Sequence, residues 1–303
     1  MVMLHSMQHF WPFDRWRSEA VVVLEADKPG TRELCLQLLS TWTFVRCIPE
    51  LPPPKWEPDE IGSSYMWSRG LTRGMWQSFW ADKHSDADWI AIVDPDVIFF
   101  TPYLPDLLFD WSSPGQGARP VVFGDHVPAF ILPVISLGMA WVSEFMTNFP
   151  MVVRPRHLAS LRDHFMNVTG KTTFNDAFQA AMQTTTVNIK KYAWWVKTRI
   201  PTGDEPMCFS AILGHYLYHF HREEFFWSLL NGLSAGAPPE HTCPSLRYAR
   251  HCGGNRNQKA EDLPKLGARA NVLSYWATAM ALMKGGEEGL SESPDTEAQR
   301  LLL

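Results

Sequence analysis

Two aspartates separated by one proline, Asp94-Pro95-Asp96, follow directly on the uncharged run Trp89-Ile90-Ala91-Ile92-Val93. Carboxylates are hard oxygen donors. A pair of them two residues apart can share a divalent cation that keeps positions open for substrate phosphates. The run ahead of them has no polar alternation, which is the pattern of a strand buried on both faces of a sheet. Acids at the carboxyl end of such a strand occupy the crevice where open α/β sheets bind their ligands. The same Asp-Pro also suits a plain turn, since the side-chain oxygen can satisfy local backbone donors and proline fixes φ.

The elements that would position this pair can be read outward from it. Ala20-Val21-Val22-Val23-Leu24 is continuous and β-branched, hence a buried strand, and Glu25 to Gly30 turns the chain. Thr31 is the expected N-cap of a helix carrying Leu34, Leu38 and Leu39 on one face, so strand, turn and helix open a βαβ unit. A second strand is expected at 43–48, then an extended, proline-rich connection over 49–58. Residues 69–80 return to helical spacing, with Met75, Trp76, Phe79 and Trp80 toward the core and Arg73 on a neighbouring face.

Beyond the aspartates, 106–116 reads as a loop and Pro120 to Gly124 as a strand. Met151 to Arg154 reads as another strand, ended by Pro155, with helices at 157–165 and 174–182 and an aromatic strand or wall at 192–196. Asp204 and Glu205 precede Pro206 and a long apolar helix through Phe209, Ile212, Leu213, Tyr216 and Phe220, where acids complement the positive end of the helix dipole. Residues 235–254 are turn-rich and carry His241 and His251; a final helix is expected at 268–283. The boundaries that follow are an N-terminal extension over 1–18, one domain over 19–284 and a polar tail over 285–303.

With 303 residues and 46% hydrophobic content, the chain suits a globular fold. A net charge of −5 argues against general nucleic-acid binding, which needs a basic footprint. No run reaches the about 18 to 20 apolar residues that cross a bilayer; the closest, Val127 to Val142, is broken by Pro128, Pro133 and Gly138. Met1 to Phe13 lacks the basic and apolar regions of a secretory signal. A cytoplasmic protein is expected, or one of the Golgi or secretory lumen if a leader is missing. In the latter case Asn167-Val168-Thr169 would accept a glycan. Five cysteines are too scattered for a disulfide scaffold, although Cys243 and Cys252 are close enough in sequence to bridge a loop or to remain free thiols.

The Asp-x-Asp after an apolar strand resembles the metal-binding motif of glycosyltransferases with the GT-A fold. Thr72-Arg73-Gly74-Met75-Trp76-Gln77-Ser78-Phe79-Trp80-Ala81-Asp82, Thr101-Pro102, Phe145 to Pro150 and Tyr218 to Glu224 resemble, in order, a largely uncharacterised family of nucleotide-sugar transferases. Gly74 and Met75 stand where that family carries a pair of glutamines. The resemblance implies a single GT-A-like α/β domain, a mostly parallel sheet flanked by helices. It implies transfer of a sugar from a nucleotide-diphosphate donor to a hydroxyl of a glycan, protein or small molecule, with Mn²⁺ or Mg²⁺. By the same resemblance Asp94, Asp96 and His251 would hold the cation, and Asp27, Arg73 and Asp94 the donor. Asp204 or Glu205 would serve as general base in an inverting reaction. Each of these has a plainer alternative as a turn acid, surface arginine, helix cap or loop histidine. Two other readings compete. One is a haloacid-dehalogenase-like phosphohydrolase with Asp94 as nucleophile, although Val97 follows the second acid and a βα unit precedes the first. The other is a non-catalytic relative whose tryptophans stack on sugar rings.

Overall fold

The β-branched runs form strands where expected, and each strand is short. The computed structural model describes residues 2–26, 28–51, 69–94, 97, 99, 107–112, 117–124, 130–145, 150–191 and 207–229. Helices α1 (Val2–Phe10) and α2 (Phe13–Trp16) precede β1 (Ala20–Leu24), which is joined through α3 (Thr31–Thr41) to β2 (Val45–Pro49). The two strands are parallel, in register from Ala20 opposite Val45 to Leu24 opposite Pro49, which completes the βαβ unit.

Helix α3 departs from expectation in two ways. Its N-cap is Gly30, held at φ +84°, a left-handed conformation that costs glycine nothing. The Thr31 hydroxyl instead donates to the Glu25 carbonyl at 2.7 Å and closes the turn. The inward stripe runs Thr31, Cys35, Leu38, Trp42, one helical face rotated from the expected one, so Leu34 and Leu39 are 40% and 45% exposed.

Next come α4 (Arg69–Ser78), a 3₁₀ turn at Ala81–Lys83 and β3 (Ile90–Ile92). After β4 (Phe109–Asp110), β5 (Arg119–Gly124), α5 (Ile131–Ser136) and β6 (Met151–Val153), the chain enters α6 (Pro155–Thr169) and α7 (Phe174–Lys191). It then forms α8 (Phe209–Phe220), a 3₁₀ turn at Arg222–Glu224 and β7 (Phe226–Leu229). β3 pairs antiparallel with β6, β4 antiparallel with β5, and β5 parallel with β7. Among the described residues the fold is therefore mixed helix and strand, with parallel and antiparallel pairs in three small sheets.

Apolar side chains collect in two cores. In the larger, Phe79 meets Phe209 and Phe165 edge-on, with ring centroids 4.8 and 5.1 Å apart, and also touches Phe174 and Phe178. The smaller gathers Leu4 and Met7 of α1, Leu38, Val45, Val97, Phe99 and Val152. The stretch before β1 is thus part of the packing, and Ser6 Oγ accepts the Phe99 N–H at 3.1 Å. The β3–β6 ladder stands between the cores. Ile90, Ile92, Met151 and Val153 pack into the larger, while Ala91, Val93 and Val152 pack into the smaller. The uncharged run thus meets apolar side chains on both faces, although Ile90, Ala91 and Ile92 are each only half-buried.

Two polar ties hold helices to the larger core. Trp76 Nε1 donates to Asn175 Oδ1 at 3.1 Å, joining α4 to α7. Arg162 of α6 forms a bidentate pair with Asp82 at 2.6 and 2.8 Å and lies 4.2 Å from the Trp80 ring centroid. No helix among the described residues is long and apolar enough to cross a membrane. The segments expected at 192–196, 268–283 and 285–303 lie outside the described residues, as do Cys243 and Cys252.

Candidate functional site

Three strands end in acids. Glu25 follows β1, Glu50 follows β2, and Asp94 stands two residues beyond β3. Glu50 is buried, and a buried carboxylate needs a cation and full hydrogen bonding to remain charged. Arg73 of α4 supplies both: its Nε donates to Glu50 Oε2 at 2.6 Å and its Nη2 to Oε1, while Nη1 stands 3.9 Å from Glu25 Oε2. One turn further along α4, Gln77 donates to the Leu51 carbonyl at 2.7 Å and accepts the Leu51 N–H at 3.3 Å. The polar edge of α4 therefore grips the chain as it leaves β2. Arg73, expected at a donor diphosphate, has its charge met here by the protein's own acids.

Asp94 is exposed at the end of β3, and its carbonyl accepts the Val97 N–H at 3.1 Å. Nearby, at the start of α8, Cys208 is buried. Burial first, then the Glu144 and Asp94 carboxylates, push its thiol up to about 12. The end of β3, the 141–145 segment and the N-terminus of α8 converge at that thiol, which is inert as a nucleophile. Glycine makes the convergence possible: a Cβ at Gly124 would collide with Ser143 and Leu229, and one at Gly214 with Phe145.

Asp27, Asp96, Asp204, Glu205 and His251 lie outside the described residues. Of the expected site residues the structure describes Arg73, on α4, and Asp94, beyond the end of β3. An exposed carboxylate at Asp94 fits the hard oxygen donor that Mg²⁺ or Mn²⁺ takes. Sequence reasoning missed Glu50 and Glu144. Glu50 had a usable signal, an acid immediately after a strand; Glu144 had none, because it acquires neighbours only through tertiary packing.

A second cluster has metal-ligand residue types. The ligand atoms of His157, His221 and Glu224 lie within 4.8 Å of one another. Their protons, however, are already allotted. His157 Nδ1 accepts the Arg154 N–H at 3.2 Å, so the neutral ring carries its hydrogen on Nε2, which faces Glu224 Oε2 at 3.1 Å. Glu224 Oε1 faces His221 Nδ1 at 3.2 Å, and Arg156 donates to Oε2. Burial lowers His157 to about 4 even though Glu224 pulls it upward. Partial burial pushes Glu224 upward, but Arg156, His221 and His157 outweigh it and hold the carboxyl at about 2. The cluster is a hydrogen-bonded clasp between the start of α6 and the turn after α8.

No protein family, curated protein or solved structure matches the chain.

Proposed function

We propose that the protein is a GT-A-type glycosyltransferase that moves a sugar from a nucleotide-diphosphate donor to a hydroxyl acceptor with Mn²⁺ or Mg²⁺. The observation that carries this reading is the end of β3. A strand with apolar packing on both faces delivers an exposed Asp94 next to its Asp-x-Asp partner, and shares its smaller core with a parallel pair that also ends in acids. Crevices at the carboxyl ends of strands are where α/β sheets take ligands.

In this reading Asp94 and Asp96 hold the cation, with His251 as a further ligand and Asp27 on the nucleotide. When bound, the cation offsets the charge that gathers on the departing diphosphate, an attraction of about 4 kcal/mol per pair of unit charges at 4 Å and an effective dielectric near 20. Arg73 sets the end of β2 through Glu50 and would reach the diphosphate only by sharing its guanidinium with that acid. Asp204 or Glu205 takes the acceptor proton in an inverting reaction.

The test is a panel of nucleotide sugars read by thermal shift, with Mn²⁺ and with a chelator. The correct donor at about 100 times its dissociation constant should stabilise the protein by about 2.7 kcal/mol, and only with metal. No shift with any donor in either condition overturns the reading. A shift indifferent to metal, with no transfer, points to a sugar-binding protein, and hydrolysis of simple phosphate esters that depends on Asp94 to a phosphohydrolase.

A further inference from the structure

Cys35 and Cys47 are distant from the acids in chemistry but adjacent to them in the fold. Cys35 lies on the inward stripe of α3 and Cys47 at the centre of β2, both half-buried. Cys47 Sγ donates to the Cys35 carbonyl at 3.7 Å, which sets the Cys47 thiol directly against the Cys35 residue. A helix and its following strand therefore bring two cysteines together across their packing seam, both partly open to solvent. We propose that Cys35 and Cys47 form a reversible dithiol–disulfide pair, oxidised by small-molecule disulfides, that covalently closes α3 onto β2.

The exchange balances without any further reactant. The Cys35 sulfur, on losing its proton, attacks one sulfur of a small disulfide; a mixed disulfide forms at Cys35 and one small thiolate leaves and takes up that proton. Cys47 then gives its proton to solvent base and attacks Cys35 Sγ. The Cys35–Cys47 bond forms, and the second small thiol departs. Two protein thiols are oxidised and one small disulfide is reduced to two thiols. Burial, followed by the Cys35 neighbour, holds the Cys47 thiol up at about 11, which slows the closing attack by Cys47. Cys208 is an internal control, because it is fully buried and its thiol is pushed higher still. The bridge would sit three residues ahead of Glu50, in the strand whose end Arg73 holds.

The experiment treats the full chain with oxidised glutathione at mildly alkaline pH, quenches with acid, alkylates the remaining thiols and maps tryptic peptides. Cleavage after Arg32, Arg46 and Lys55 separates the two cysteines onto peptides 33–46 and 47–55. These peptides should appear cross-linked, lighter by two hydrogens than the reduced pair, and return to the alkylated form after reduction. Cys47→Ser should instead hold glutathione on Cys35, since no thiol remains to displace it. The closing step should quicken about tenfold per pH unit below the Cys47 pKa, following its thiolate fraction. Alkylation of both peptides after oxidant treatment overturns the proposal, and so does glutathione persisting on Cys35 of the wild-type chain.

Discussion

Lowering the pH from 7.5 to 5 should cost the fold about 4 kcal/mol through two buried histidines alone. His157 and His215 are both fully buried. His215 Nδ1 faces the Ala211 carbonyl at 2.6 Å and its Nε2 accepts the Val142 N–H at 2.9 Å; His157 accepts the Arg154 N–H on Nδ1. In each ring the one unprotonated nitrogen is occupied by a backbone donor, so a second proton must break that bond. Burial accordingly lowers both to about 4, in His215 against the pull of the Ala211 carbonyl. In the unfolded chain each titrates near 6.5. Between those values the unfolded state binds the extra protons, so stability is full above pH 6.5 and falls as the pH drops toward 4. The linkage integral at pH 5 is about 2 kcal/mol for each ring, a large share of the 5 to 15 kcal/mol that typically holds a domain together. Urea unfolding followed by tryptophan fluorescence at pH 7.5, 6 and 5 measures the change. His157→Gln or His215→Gln should remove about half of the pH 5 deficit, whatever each does to stability at pH 7.5. A flat stability over this range, or variants that keep the full slope, would refute the assignment of two neutral buried rings.

Four other outcomes are expected. Replacing Arg73 with Met strands the Glu50 carboxylate and should cost about 3 to 5 kcal/mol, most of it recovered when Glu50→Gln is added; denaturation of the single and double variants measures the coupling. Ile92→Asp sets an unpaired carboxylate against the larger core and should leave little folded protein by circular dichroism; an unchanged melting curve would remove the central role of β3. Asp96→Asn should weaken nucleoside diphosphate binding with Mn²⁺ more than Asp94→Asn in calorimetry, and equal affinity in all three proteins would dismiss the metal role. If Asp204 or Glu205 is a general base, its amide variant should fold, bind donor and lose about 10² to 10⁴-fold in rate, whereas a capping acid would cost about 1 kcal/mol of stability and no turnover.

What could be read from the sequence was what depends on neighbours in the chain. The β-branched run at 20–24, the helical spacing of Met75, Trp76 and Phe79, and the uncharged run ending at Asp94 each carry their own instructions. Helix α5 is not signalled by the sequence because Pro133 interrupts the run from Val127 to Val142, yet at its third position proline lacks only an N–H that the first turn leaves unbonded. Strands β4 and β7 escaped notice because two and four residues carry little pattern, and β7 is specified by β5, from which it is more than a hundred residues distant. The face of α3 was misjudged for a related reason: leucine is the more apolar residue, but the seam with β2 lies along Cys35 and Leu38. At the site, the acids after strands were visible, while Glu144 and the Arg73–Glu50 pair exist only once distant segments meet.

The ladder between the two cores also determines where the chain can change length. Ile90, Ile92, Met151 and Val153 face one core and Ala91 and Val152 the other, so adding or deleting one residue inside either strand would exchange every side chain between the two sides. A change inside β3 would turn Asp94 as well, from its solvent-facing position toward the opposite side. The connection from 94 to 150 has no such constraint and can lengthen in its loops at little cost, since loop closure grows only slowly with length. Changes in length are therefore tolerated in the connections and not in the ladder. The six ladder residues and Val93, which leads to Asp94, must keep their count.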